Sequence, residues 1–251
     1  QCESSGMLGS MGLMPAPQGV TLYDEGRGGE VSMSADEINS MMVFMGRANY
    51  FGTHPARVAG AINRQEEVLG ALSQLDPVRG RFETIHGQDG RTGIVDYAHT
   101  PDALENAIKA LSAVMQRRII CVFGCGGDRD KEKRPLMGEI AARLCDLAVV
   151  TSDNPRTEDP MAIIAQILVG ARKANSRDYS ASALKDGFKE KGYVVEADRQ
   201  RAIQLGIALS ESGDTVLIAG KGHETYQILG ASTIAFDDRE EARKALAALE
   251  R

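Results

Sequence analysis

Residues 147–168 read LAVVTSDNPRTEDPMAIIAQIL, and this stretch decides the predicted fold. LAVV is a short, continuous apolar run, which is the pattern of a strand buried on both faces of a sheet. Asp159 and Pro160 follow a polar loop and provide a helix cap with a proline at the first helical position. The apolar residues after them have helical spacing. The stretch therefore predicts a strand, a polar loop and a helix in succession.

The same alternation recurs from residue 92 onward. The predicted strands are TGIVDY (92–97), RIICVFG (118–124), LAVVT (147–151), YVVEA (193–197) and DTVLIAG (214–220), and the predicted helices lie at 101–116, 135–144, 161–168, 199–209 and 240–249. Thr100 and Asp198 are predicted to cap the helices that they precede, as Asp159 does. Crossovers of this kind favour parallel pairing. We therefore predict that residues 77–251 form an α/β domain with a Rossmann-like, doubly wound, mostly parallel sheet. Residues 172–192 are polar and weakly periodic, which predicts an exposed connection.

Residues 1–76 are less regular, and they are predicted to form a separate region. GVTLYDEGRGGEVSMS (19–34) predicts a hairpin around its Gly-rich centre. ARVAGAI (56–62) and EEVLGALSQL (66–75) predict helices.

Composition excludes several classes of protein. The chain has 251 residues, with 43% hydrophobic and 25% charged residues, as is normal for a globular protein. Its net charge of -6 argues against nucleic-acid binding through broad electrostatic attraction. No apolar run approaches the roughly 20 residues that cross a bilayer. The four cysteines, at positions 2, 121, 125 and 145, match neither a disulfide framework nor a metal site, so we expect a cytoplasmic protein without a metal site of its own.

Unusual polar segments follow every predicted strand. They are DYAHTPD (96–102), GCGGDRDKEKRP (124–135), SDNPR (152–156), ADR (197–199) and GKGHET (220–225). Ligands of open parallel sheets bind outside the carboxyl ends of the strands. Five polar segments at one edge therefore predict a shared binding site.

Two of these loops offer groups that bind anions. Arg129 follows three glycines and carries a guanidinium suited to a carboxylate or phosphate; a glycine turn with a solvated charge cluster is the alternative. In SDNPR, the proline biases Asn154 toward an extended conformation, which directs the Asn154 amide and the Arg156 guanidinium at a common point. The alternative there is a turn that only links strand to helix.

The GKGHET loop offers the opposite charge. Gly220 opens the backbone, and Glu224 is an acceptor for a cation. His223 is either an acid/base group or a structural hydrogen-bonding residue. Together the three loops suit a ligand that carries both a carboxylate and an ammonium group, such as an amino acid.

These motifs together resemble the Mur ligase family. The matching stretches are GRFE (80–83), VDYAHTPDALE (95–105), VFGCGGDRDKEKRPLMG (122–138), VVTSDNPRTEDP (149–160) and IAGKGHETYQ (218–227). The resemblance implies an ATP-dependent amide ligase of peptidoglycan synthesis, and the SDNPR loop implies the member that adds meso-diaminopimelate to UDP-MurNAc-L-Ala-D-Glu. It further implies a diaminopimelate pocket formed by Arg129, Asn154, Arg156, Gly220 and Glu224.

The resemblance also implies cofactors, ATP and Mg²⁺. Arg81, Asp96 and His99 resemble residues that contact ATP from the C-terminal domain. In the family, the phosphate-binding loop, the acidic residues that hold Mg²⁺ and a carbamylated lysine belong to preceding sequence, and the UDP substrate binds to a further domain. We assign no catalytic or metal-binding residue within this chain.

The match begins near the end of the family's central ATPase domain. We therefore expect residues 1–76 to be a remnant of that domain and residues 77–251 to be the amino-acid-binding domain. The pattern G-x-x-x-x-G-K-[ST] is absent from the 251 residues, so we expect the chain to be inactive alone. Two alternatives stay open: a non-catalytic binding module for an amino acid or nucleotide, and a related ligase for another amino acid.

Overall fold

The structure is a computed structural model, and it describes residues 20–24, 29–33, 78–115, 117–174, 176–185 and 187–249. The chain divides into two compact units, residues 1–76 and 77–251. In the first unit, β1 (Val20–Asp24) pairs antiparallel with β2 (Gly29–Met33), which confirms the predicted hairpin. The helices predicted at 56–62 and 66–75 lie outside the described residues.

The second unit is built on a seven-stranded sheet. Its strands are β3 (Glu83–His86), β4 (Thr92–Asp96), β5 (Ile119–Phe123), β6 (Leu147–Val150), β7 (Arg177–Tyr179), β8 (Gly192–Val195) and β9 (Thr215–Ala219). Their order is β3-β4-β9-β5-β6-β8-β7. Only the β3–β4 pair is antiparallel among these neighbours. The predicted α/β, mostly parallel sheet is confirmed, and so are its five predicted strands.

Five helices connect or follow these strands. They are α1 (Pro101–Val114), α2 (Lys133–Leu144), α3 (Pro160–Lys173), α4 (Arg199–Leu209) and α5 (Asp238–Leu249). The predicted caps are present: the side chains of Thr100, Asp159 and Asp198 each accept hydrogen bonds from backbone N–H groups in the first turn of their helices. Caps of this kind satisfy N–H groups that have no partner within the helix.

The sheet is covered on both faces, because alternate residues of a strand point to opposite sides. Ile119, Cys121 and Phe123 of β5 pack in one apolar cluster with α1, α2 and α3. Ile120 and Val122 of the same strand pack in a second cluster with α4 and α5. This arrangement is the doubly wound architecture expected from the continuous apolar strands.

The predicted exposed connection at 172–192 is wrong in part. Strand β7 pairs parallel with β8 at the sheet edge, and a 3-10 helix spans Ala181–Leu184. Tyr179, Leu184 and Phe188 are buried in the second apolar cluster. These three buried residues follow neither a helical nor a strand period, so the sequence pattern did not indicate that they are buried.

Two further elements were not predicted. Strand β3 extends the sheet on the side of β4. Strands β10 (Tyr226–Leu229) and β11 (Ser232–Ala235) form a separate antiparallel hairpin after the GKGHET loop. Within the described residues, the structure contains no helix with the length and apolar character of a membrane span.

Candidate functional site

The polar loops meet at the carboxyl edge of the sheet. Strands β4, β9, β5 and β6 are consecutive neighbours, so the loops that follow them lie side by side. Backbone hydrogen bonds join them: Gly220 N donates to Asp96 O over 3.0 Å, and Gly127 N donates to Asn154 O over 2.9 Å. The order of the strands therefore places the predicted binding loops in one neighbourhood.

The glycine loop packs directly on SDNPR. A Cβ atom at Gly127 would lie 1.8 Å from the carbonyl oxygen of Pro155. A Cβ atom at Gly126 would lie 2.9 Å from Nη1 of Arg156 and 3.7 Å from Cγ of Arg129. The backbone contact requires a residue without a side chain at position 127, and the contacts at Gly126 place the two arginines beside the same short segment.

Arg156 is held by its backbone as well as its side chain. Its φ is +53°, which is uncommon for a residue other than glycine. Its N–H donates to Ile228 O over 3.3 Å, and its carbonyl accepts from Gly230 N over 2.8 Å, so the β10–β11 hairpin fixes this conformation. Nη1 donates to Gly127 O over 2.8 Å. Strain of this kind persists only where surrounding contacts impose it.

Arg129 is the most exposed of the predicted pocket residues. Its Nη1 donates to the adjacent Asp128 O over 3.1 Å. Among the described residues, neither Arg129 nor Arg156 has a carboxylate within ion-pair distance. Two guanidinium charges are therefore available to an anionic group of a ligand.

Asn154 connects the SDNPR loop to the GKGHET loop. It is 3% exposed. Its Nδ2 donates to Glu224 Oε2 over 2.9 Å, and its Oδ1 accepts from Ile228 N over 3.0 Å. Oδ1 also accepts from Lys221 Nζ over 2.9 Å. The amide is therefore held in one orientation by partners on both of its polar atoms.

Lys221 and Asp153 were missed as site residues. Lys221 is fully buried, and its Nζ lies 3.3 Å from Glu224 Oε2 and 3.4 Å from Asp153 Oδ1. Both residues stand inside the quoted loops, but a local pattern does not show that a lysine is buried. Only the pairing of two distant loops makes it so.

Buried arginines connect the loops to the rest of the domain through ion pairs and hydrogen bonds. Arg134 donates to both carboxylate oxygens of Glu158, at 2.8 Å and 2.9 Å, and to Gly126 O at 3.1 Å. The hydrogen bonds from Arg134 and from the Asp128 N–H lower the pKa of Glu158 to about 2. This pair ties the glycine loop to the chain that follows SDNPR.

A second buried pair lies behind Gly220. Arg199 donates to both carboxylate oxygens of Asp238, at 2.8 Å and 2.7 Å, and to Ala219 O at 3.1 Å. Burial alone would lower the pKa of Arg199, but the charge and hydrogen bonds of Asp238 raise it, with smaller contributions from Asp153 and Glu224. The GKGHET loop therefore begins directly after a residue that is hydrogen-bonded to this buried ion pair.

The three residues expected at a nucleotide lie together around Tyr97. The Arg81 guanidinium carbon lies 4.5 Å from the centre of the Tyr97 ring, and the His99 ring lies 4.5 Å from it. His223 of the GKGHET loop is 5.1 Å from the same ring. The Asp96 carboxylate accepts from Phe82 N over 3.0 Å and from Ala98 N over 2.9 Å, so it holds the GRFE segment in place.

Close backbone contact keeps the residues around Tyr97 beside the GKGHET loop. Gly80 has a φ of +67°, and a Cβ atom there would lie 2.1 Å from Gly222 C. The GRFE segment thus packs against the same loop that carries Lys221 and Glu224. Over the described residues, the structure shows no group of three or more His, Cys, Asp or Glu side chains that could hold a metal ion. We therefore assign no residue to Mg²⁺.

The fold and the arrangement of side chains define a class of protein: a doubly wound α/β domain with a cluster of charged side chains at the carboxyl edge of its sheet. Comparison with known families gives a more specific result. The family described as "Mur ligase, glutamate ligase domain" matches residues 80–222. The chain belongs to the Mur ligase family.

Individual relatives agree with this assignment. The chain is 48% identical over 200 residues to a protein of Geobacter sulfurreducens named UDP-N-acetylmuramoyl-L-alanyl-D-glutamate--2,6-diaminopimelate ligase, covering 79% of this chain and 39% of that protein. It is 54% identical over 183 residues to a protein of the same name from Synechococcus elongatus, covering 72% of this chain and 34% of that protein. The chain therefore spans less than half the length of these relatives.

A solved structure agrees as well. A structure of UDP-N-acetylmuramoyl-L-alanyl-D-glutamate--2,6-diaminopimelate ligase matches with a TM-score of 0.58 and 31% sequence identity. The match covers 93% of this chain and 43% of that chain.

Proposed function

We propose that residues 77–251 bind meso-diaminopimelate for a Mur ligase that joins it to UDP-MurNAc-L-Ala-D-Glu in peptidoglycan synthesis. The names of the relatives support this substrate pair. In the reaction implied by the family, ATP would supply the phosphoryl group that activates the D-Glu carboxylate, with release of ADP, and the amine of the incoming amino acid would displace phosphate to form the amide. The role of this domain is to hold that amino acid in position, which lowers the entropic part of the barrier.

One observation carries the proposal: a guanidinium outside any ion pair of the described residues and a carboxylate of a group with excess negative charge both contact Asn154. Arg156 makes its side-chain hydrogen bonds to carbonyl oxygens, and within the described residues it forms no ion pair with a carboxylate. Asp153 and Glu224 form ion pairs with Lys221. The charge of the nearby Arg199, which acts on both carboxylates, is paired with Asp238. Three carboxylates therefore face two cations, which leaves an excess negative charge. Meso-diaminopimelate carries a carboxylate and an ammonium group on the same carbon at each end, which matches this arrangement.

The proposed assignment follows from these charges. Arg129 and Arg156 take the distal carboxylate of the ligand, with Asn154 beside them, and Glu224 takes the distal ammonium group. Gly220 allows the close approach of the ligand because its φ of +120° is rarely adopted by other residues and no side chain projects from it. Charge-assisted hydrogen bonds of this kind are stronger than neutral ones.

We further propose that Arg81, Asp96 and His99 form the part of the ATP site contributed by this domain. In this proposal, Arg81 and His99 contact the nucleotide. Asp96 positions the GRFE segment by accepting hydrogen bonds from the backbone N–H groups of Phe82 and Ala98. ATP supplies the phosphoryl group that activates the carboxylate. The 251 residues contain no G-x-x-x-x-G-K-[ST] pattern, so we expect the isolated chain to bind but not to ligate.

Isothermal titration calorimetry with meso-diaminopimelate tests the amino-acid site. We expect saturable binding, and we expect Arg156→Ala to weaken it by about 10- to 100-fold because a charge-assisted pair is lost. Arg177→Ala is the matched control, since Arg177 lies on the edge strand β7 and is paired with Glu190 over 3.4 Å. Equal weakening by both substitutions, or no binding by the unaltered chain, contradicts the proposed site.

Competition and turnover distinguish the alternatives. If L-lysine displaces meso-diaminopimelate at equal concentration, the site belongs to a ligase for another amino acid. If the chain catalyses ligation with ATP and UDP-MurNAc-L-Ala-D-Glu, the expectation that it is inactive alone is wrong. Binding without any effect of Asn154, Arg156 or Glu224 substitutions would indicate a binding module of a different kind.

A further inference from the structure

Lys221 is a fully enclosed cation between the SDNPR and GKGHET loops. Its side chain has no exposed area, and its Nζ donates to Tyr226 O over 2.7 Å and to Asn154 Oδ1 over 2.9 Å. A lysine ammonium is costly to bury unless its charge is paired and its hydrogen bonds are satisfied. Here the pairing is with Asp153 and Glu224, so the site itself supplies the compensation.

Lys221 fixes the direction of the Asn154 amide. An asparagine side chain can exchange its oxygen and nitrogen by a half-turn with little change in shape. The ammonium of Lys221 has only donors, so it can face Oδ1 and not Nδ2. Nδ2 is thereby directed at Glu224 Oε2, 2.9 Å away.

The same contacts present one oxygen of Glu224 outward. Oε2 accepts from Asn154 Nδ2 over 2.9 Å and from Lys221 Nζ over 3.3 Å. Among the described residues, Oε1 accepts no hydrogen bond, and the Glu224 side chain keeps 17% of its area exposed. A ligand ammonium group can therefore approach Oε1 while Oε2 is held in place.

A buried acceptor gives a second, independent indication of a cationic ligand. Asp153 is 8% exposed, and its Oδ1 makes no hydrogen bond although Lys221 Nζ lies 3.4 Å away. The remaining buried cation nearby, Arg199, is paired with Asp238. Lys221 and Arg199 together face three carboxylates, Asp153, Glu224 and Asp238, so one negative charge of this group is in excess.

We infer that Lys221 is a positioning residue: it orients the Asn154 amide and the Glu224 carboxylate so that the site selects a ligand with a distal ammonium group. Lys221 itself does not contact the ligand in this arrangement. The selection of the ligand rests on the proposed function, whereas the orientation of Asn154 can be measured without a ligand.

The first test measures the side-chain order parameter of the Asn154 NH₂ group by NMR relaxation. We expect a rigid value, about 0.85, in the unaltered chain and a value below about 0.6 in Lys221→Met. Lys109→Met is the matched control because Lys109 is exposed and pairs only with Glu105 on its own helix. An Asn154 side chain that stays rigid in Lys221→Met overturns the inference.

A second variant covers the case in which Lys221→Met does not fold. Glu224→Ala changes a partly exposed side chain and leaves Lys221 in place. The inference then predicts a rigid Asn154 side chain, because Lys221 and the Ile228 N–H still hold Oδ1. Loss of order in Glu224→Ala would show that Glu224, not Lys221, orients the amide.

The ligand test compares meso-diaminopimelate with 2-aminoheptanedioate, which lacks one amino group. We expect Lys221→Met to weaken the first by about tenfold or more and to leave the second within about twofold. Equal weakening of both ligands contradicts selection through Glu224. If the unaltered chain binds neither ligand, the proposed function is wrong, and the order parameters still decide the role of Lys221.

Discussion

The Asn154 side chain donates a 2.9 Å hydrogen bond to the Glu224 carboxylate, although the two residues are seventy positions apart. This bond joins the loop after β6 to the loop after β9. It therefore connects the two loops that carry the proposed carboxylate-binding and ammonium-binding residues. The arrangement leads to predictions for the site and for its support.

Asn154→Asp tests the amide directly because it keeps the shape and removes the donor. The new carboxylate would stand where the amide now donates to Glu224, so like charges would repel at hydrogen-bond distance. We expect the affinity for meso-diaminopimelate to fall by about 10- to 100-fold in calorimetric titrations. Asn154→Asp with unchanged affinity would show that the amide does not organise the site.

Gly127→Ala tests the contact between the glycine loop and SDNPR. The added Cβ would lie 1.8 Å from Pro155 O, so backbone must move. We expect the free energy of unfolding to fall by about 2–3 kcal/mol in urea titrations. Gly187→Ala is the control: its φ is +81° and its surroundings are open, so only backbone strain of about 1 kcal/mol is expected. Equal losses at both positions would contradict the close contact.

Arg199→Met tests the buried support behind Gly220. Asp238 would become a buried charge without its partner, and we expect a loss of about 3–5 kcal/mol in the free energy of unfolding. Arg201→Met on the exposed side of the same helix is expected to change little. The double variant Arg199→Met/Asp238→Asn removes both charges and should be more stable than the single variant; a double variant that is less stable contradicts a charge-based cause.

The contribution of Glu158 to the free energy of unfolding depends on pH. Its pKa is lowered from 4.5 to about 2, chiefly by the Arg134 hydrogen bond, so the folded state favours the ionised form. The stabilisation is present above the unfolded pKa and is lost as the pH falls through the folded pKa, that is, between about 4.5 and 2. Glu158→Gln should be less stable than the unaltered chain at pH 7 and should lose less stability over that acid range.

Urea titrations at pH 7, 5, 4 and 3 measure this effect. Glu190→Gln is the control, because Glu190 is 69% exposed and pairs with an exposed arginine. A Glu158→Gln variant whose stability falls with acid as steeply as that of the unaltered chain would rule out this carboxylate as the source.

Cys125 is expected to resist alkylation in the folded protein. Burial raises the pKa of its thiol to about 12, so almost no thiolate forms near pH 8. Iodoacetamide treatment followed by peptide mass spectrometry should leave Cys125 unlabelled until urea unfolds the chain. Labelling of Cys125 under native conditions at the rate seen in urea contradicts its burial.

Much of the fold could be predicted because it depends on local patterns. The continuous apolar runs and the caps at Thr100, Asp159 and Asp198 predicted the central strands and the helices that follow them. The edge strand β7 and the β10–β11 hairpin could not be predicted in this way. Strand β7 has one buried residue among its three, and β11 is exposed throughout, so neither has a clear hydrophobic period.

By itself, the sequence determined the order of strands and helices and the polar loops that carry Arg129, Asn154, Arg156 and Glu224. Parallel strands share a direction, so those loops had to reach one edge of the sheet. Only the tertiary structure decided that Lys221 is buried between Asp153 and Glu224 and that Arg156 has a positive φ. Both features arise from contacts between segments that are distant in sequence. A local pattern of residues does not show which side chains become buried in such contacts.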